Sequence, residues 1–83
     1  RINHNLDFIE LKALILCKSE RHKDILLAIK IQEKVLSKRR STNDVTKLTD
    51  SYVNIAIIKI INNDTEEAKI LFRKALLNSN NLN

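Results

Sequence analysis

The side chains able to do covalent or acid–base chemistry are few and scattered. Cys17 is the only thiol, and His4 and His22 are the only imidazoles. A catalytic cysteine needs a base within hydrogen-bond reach and a third group to orient that base. His22 stands five residues beyond Cys17, near a predicted turn, and no third group accompanies it. The two histidines are eighteen residues apart and form neither an H-E-x-x-H nor a C-x-x-C pattern, so no metal site is expected. Glu66 and Glu67 are explained by a helix start, where negative charge is favoured. The residues therefore predict neither an enzyme nor a cofactor. Cys17 ends the apolar run Leu14-Ile15-Leu16-Cys17 and reads as a buried thiol. A single cysteine also excludes a scaffold built on internal disulfides.

The second chemical feature is cationic. The chain has 15 Lys and Arg against 10 Asp and Glu, a net charge of +5, and the whole excess lies in residues 1–40. Lys30, Lys34 and Lys38 recur at every fourth residue, and Arg39 and Arg40 extend the ridge. Clustered Lys and Arg are what phosphate neutralisation needs. No aromatic residue interleaves them for base stacking, which disfavours nucleic acid. The plainer reading is a solvated helix face with cations in its last turn, where they are favoured. An acidic protein partner comes next.

These residues must be positioned by helices. The 83 residues include no Gly and no Pro. That removes glycine-dependent phosphate loops and nucleophile elbows, and it disfavours hairpin-rich β folds. Turns must then rest on Asn, Asp, Ser and Thr. Asp64-Thr65-Glu66-Glu67 has the form of a capping box, and Ser41-Thr42-Asn43-Asp44 offers three caps. Ser19-Glu20 is a weaker start, and Asn62-Asn63 can end a helix in the left-handed conformation. Four helical segments result: 4–17, 21–39, 44–61 and 65–78. Ala68, Leu71, Phe72, Ala75 and Leu76 make a helical stripe, as do Val45, Leu48, Tyr52, Ile55 and Ala56. Segments one and three are apolar on more than one face and must bury two sides, against flanking helices, a partner chain or a ligand.

A shift of 43 residues brings the chain onto itself. Ile9, Ala13, Leu14 and Ile15 fall on Tyr52, Ala56, Ile57 and Ile58; Ile25, Leu27, Ala28 and Ile29 fall on Ala68, Ile70, Leu71 and Phe72. A period of this size points to a solenoid. Tyr52-x-x-Ile55-Ala56, followed by Ala68, Phe72 and Ala75, resembles the tetratricopeptide repeat. Residues 28–36 are similar to the extended second helix of the long-repeat variety, as in kinesin light chains and bacterial sensor proteins. The match is best over 51–77. In the first unit Ile25 and Gln32 stand where Ala is usual, and neither unit carries the Gly that often follows the first helix.

The resemblance implies an all-α fold of two antiparallel helical hairpins, with units at about 6–40 and 44–79, within a single domain that is part of a longer array. A plain four-helix bundle would satisfy the same stripes. The resemblance also implies that the first helix of each unit lines a peptide groove. That would expose Asp50, Val53, Asn54, Ile57 and Ile61 from one unit, and Asp7, Glu10, Leu11, Leu14 and Lys18 from the other. Asn54 matches a position that holds a peptide backbone, while Val53 and Ile57 offer no cation for a terminal carboxylate. The expected function is a non-catalytic module that binds protein or peptide, or acts as a scaffold. The alternatives are a basic bundle binding nucleic acid and a self-associating module. No stretch approaches the roughly 18 apolar residues of a membrane span, and the expected location is the cytoplasm.

Overall fold

Four helices run through the residues that the computed structural model describes, 2–80: α1 (Ile2–Cys17), α2 (His22–Arg40), α3 (Val45–Ile61) and α4 (Thr65–Asn80). The bounds lie within two residues of those read from caps and stripes. The asparagines at 78, 80, 81 and 83 read as a frayed end; α4 instead continues through Asn78 to Asn80, and Asn81 and Asn83 fall outside the described residues. The helices pack in sequence as hairpin-like pairs. α1 lies on α2, α2 on α3, α3 on α4, and α1 also meets α3. Among the described residues the backbones of α1 and α2 stay clear of α4. The Cα envelope is 38 × 30 × 15 Å, a slab about two helices thick.

The turns show how a chain without glycine makes corners. Asn63 has φ 65° and Glu20 has φ 61°, both in the left-handed region. At the end of α3, Asp64 N–H donates to Lys59 O at 2.8 Å and Asn63 N–H to Ile60 O at 2.9 Å. This is the paired-bond termination in which a left-handed residue closes the last turn. After α1 only the shorter of those bonds forms, Glu20 N–H to Cys17 O at 3.2 Å. Ser19 does the rest: its hydroxyl accepts from Arg21 N–H and donates to Asp24 Oδ2 at 2.6 Å. Before α3, Asp44 is the cap, its carboxylate accepting from Lys47 N–H at 3.0 Å.

Two clusters make the core. Ala13, Cys17, Ile25, Ala28 and Ile29 enclose Ile58 of α3. Leu36 joins Tyr52, Ile55, Ala56, Ala68, Leu71 and Ala75. Alanines at 13, 28, 56, 68 and 75 are buried and let the helices approach closely. One expectation fails here. Phe72 and Leu76 belong to the α4 stripe, yet they are 38% and 62% exposed. The stripe is wider than α3 can cover, and no further described helix lies against α4. No described helix is long and apolar enough to cross a membrane.

Candidate functional site

Two features occupy the seam between α1 and α3. The first is a buried polar network. Arg39, at the end of α2, has no exposed surface. Its Nη2 pairs with Asp7 Oδ1 and, at 3.0 Å, with Glu10 Oε1, while Nη1 donates to Lys47 O at 2.9 Å. Glu10 is also buried, and its Oε2 accepts from Ser51 Oγ at 2.9 Å and Asn54 Nδ2 at 3.2 Å. Gln32 Nε2 donates to Glu10 O at 3.4 Å. Lys47 Nζ reaches Asp7 Oδ2 at 2.8 Å. Desolvation of Glu10 and Arg39 is offset by their mutual pairing and hydrogen bonds. The Lys47 ammonium, and after it the Arg39 guanidinium, hold the Asp7 carboxyl below its ordinary range. Hydrogen bonding to Asp7 in turn pushes Lys47 up.

This network corrects two expectations. Arg39 does not belong to the exposed ridge. It falls in phase with Ile25, Ala28, Ile29, Val35 and Leu36, the α2 face turned to the core, and its charge is answered there. Glu10 does not stand open on the groove. It shares a buried face with Leu6, Ala13 and Cys17, and its carboxylate is taken up by Arg39, Ser51 and Asn54.

The second feature is an apolar groove of about 520 Å³, lined by Leu14, Cys17, Lys18, Glu20, Ile57 and Ile61. It gathers Leu14, Ile57 and Ile61 from the expected groove residues, with Lys18 at its charged end. Asn54 is half-buried beside the network; Val53 is half-buried against the Tyr52 cluster; Asp50 and Leu11 are exposed. Cys17 forms part of the groove wall yet is nearly covered, and burial pushes its thiol pKa up. A thiol in that state is protonated at neutral pH and unreactive.

The remaining cations lie elsewhere on α2. Lys30, Lys34, Lys38 and Arg40 are exposed. Lys30 borders a hollow of about 630 Å³, larger than the groove, with His22, Lys23, Asp24, Leu26 and Leu27 along α2. Lys34 and Lys38 flank a smaller one of about 160 Å³ over Leu6, Ile9 and Val35. Arg40 lies over the Tyr52 ring, 6.0 Å from its centre. No group of three or more His, Cys, Asp or Glu able to hold a metal ion occurs among the described residues; the side chain of His4 lies outside them.

Sequence reasoning did not foresee the network. The signal was present: Gln32 and Arg39 continue the apolar step of α2, and Glu10 continues that of α1. No family model, no curated protein and no solved structure matches the chain.

Proposed function

We propose that this chain is a non-catalytic, tetratricopeptide-like module that holds a peptide or protein segment in the groove between α1 and α3. The observation that carries the reading is that groove, with Leu14, Ile57 and Ile61 exposing apolar surface beside Lys18 and Glu20. Exposed apolar side chains gathered in a concavity have a binding occupant as their ordinary purpose. Two further features support the repeat-type fold. Glu20 and Asn63 take the left-handed conformation at positions one period apart. The second pair also rests on the first chiefly through α3, with Leu36 of α2 joining the cluster between α3 and α4.

The mechanism is apolar contact along the facing helices, with charge at one end setting direction. Asn54 lies on the same α3 face as Ile57 and Ile61. Glu10 holds one of its N–H groups. An amide has a second N–H and a carbonyl to offer a peptide backbone. Glu10 thus orients the reader in place of touching the ligand.

Selection of a displayed library of random peptides against the chain tests this. Peptides rich in apolar residues should be enriched and should weaken about tenfold, or roughly 1.4 kcal/mol, against Ile57→Lys. Asn54→Ala should weaken them as well. Peptides that bind both variants as they bind the parent would overturn the reading, as would the absence of any enriched peptide.

A further inference from the structure

We propose that the two ends of the slab dock on one another between copies of this chain, so that molecules stack head to tail. The ends are the α1 face bearing Phe8, Leu11 and Ile15 and the α4 face bearing Phe72 and Leu76. All five side chains are exposed, Phe8 by 59% and Leu76 by 62%. The proposal goes beyond the peptide groove, whose lining residues are different ones.

The internal repeat says what fits these faces. Within one molecule the second pair is seated on the first, and Ile29 of α2 packs in one cluster with Ile58 of α3. Forty-three residues from Ile29 is Phe72, and forty-three residues from Ile58 is Ile15. Ile29 and Ile58 are buried at 6% and 0%, whereas Phe72 and Ile15 are both exposed. One more step of the same stacking would set Phe72 of one copy against Ile15 of the next.

A second set of positions gives the same answer by a change of chemistry. At the inner junction Glu10 of α1 receives hydrogen bonds from Ser51 and Asn54 of α3. The residues one period from these three are Val53, Phe8 and Leu11. Three polar groups that satisfy one another are replaced together by three apolar groups. A polar group left facing an apolar one would be penalised. Here these three positions have switched together, so none of the trio is left as a polar group facing an apolar one, while Asp50, one period from Asp7, stays acidic and exposed. Because the complement of the α3–α4 end is this chain's own α1 end, the occupant is a second copy.

Such an interface joins two different surfaces, so it leaves one of each open and does not stop at a dimer unless the ring closes. Sedimentation velocity across a wide concentration range reads this directly. The mass should rise from that of one 9.6 kDa chain past that of two. Phe8→Glu blocks the α1 end and Phe72→Glu, at the position equivalent to Ile29 of the inner junction, blocks the α4 end, so each variant alone should remain a single chain. Mixed in equal amounts they should form a complex of two chains, twice the mass of either, because each retains the end the other has lost. Circular dichroism checks that both variants stay helical; Leu11→Lys and Phe72→Lys serve as the second pair if either does not. A parent chain that is monomeric at every concentration would overturn the proposal. So would one that stops at a dimer, or a mixture of variants that fails to pair.

Discussion

Glu20 and Asn63 hold the same backbone conformation, φ 61° and 65°, at positions one repeat period apart. Asparagine tolerates that region because its short side chain bonds locally; glutamate does not share the advantage. The turn after α1 is therefore the strained one of the two. It also has fewer main-chain bonds, since Arg21 N–H goes to Ser19 Oγ where Asp64 N–H reaches a helix carbonyl. Glu20→Gly should stabilise the fold by about 0.5–1 kcal/mol, the left-handed penalty less the added freedom of glycine when unfolded. Asn63→Gly should do less. Urea midpoints at constant m-value measure both. A lower midpoint for Glu20→Gly would show that the side chain contributes more than the backbone loses.

Arg39 is expected to be the most sensitive polar position. Arg39→Met leaves Glu10 buried without its cation, a change worth about 3–5 kcal/mol. A small domain has only about 5–15 kcal/mol in total, so this variant should be largely unfolded at moderate temperature. The double variant Arg39→Met with Glu10→Leu removes both charges. It should be more stable than the Arg39→Met single variant, because an apolar pair needs no counter-charge. Thermal melts of the three chains decide it; a double variant less stable than the single would mean that Ser51 and Asn54 depend on Glu10 more than Arg39 does.

The network also sets a pH window. Asp7 is held below its ordinary range by Lys47 and then Arg39. Its contribution is present above the unfolded carboxylate value of about 3.9. It is lost as pH falls through the lower folded value. Lys47 is pushed up by Asp7, so its contribution is full below about 10.4 and is lost as pH rises through the higher folded value. Melting temperature should therefore fall on both flanks. Asp7→Asn should flatten both limbs, since Lys47 then loses its partner, whereas Lys47→Met should flatten the alkaline limb and leave Arg39 to sustain part of the acid one. Melts across pH on the three chains test the assignment.

How much of this was legible beforehand follows from what each signal encodes. Caps and period encode helices, and the four segments emerged within two residues because Asp44, Asn62 and Asn63 punctuate them locally. Charge type does not encode burial. Arg39 sits beside Lys38 and Arg40, and composition groups the three, yet phase separates them: Arg39 continues the line of Gln32, Val35 and Leu36 into the core. Glu10 reads from its spacing as a groove residue, but it is buried: its three partners come from α2 and α3, 29 to 44 residues away, and only tertiary packing brings them together. Phe72 misled in the opposite direction. Its stripe is sound, but a stripe states which face is apolar and not whether anything covers it.

Ile57 and Ile58 are adjacent in sequence and opposite in environment, which lets folding and binding be tested apart. Ile58 is fully buried between α1 and α2 in the Ala13 cluster, while Ile57 is exposed on the groove. Ile58→Ala should destabilise by about 2–5 kcal/mol through lost transfer and a residual cavity. Ile57→Ala removes a side chain that water already reaches, and its effect on stability should stay within about 0.5 kcal/mol. For a selected peptide the order should reverse. Ile57→Ala should weaken binding severalfold, and Ile58→Ala, assayed at a temperature where it remains folded, should bind nearly as the parent does. Urea unfolding together with a peptide titration on each variant gives four numbers. If Ile57→Ala were costly to stability and neutral to binding, the groove would be part of the core's own packing and the occupant would have to be sought on another face.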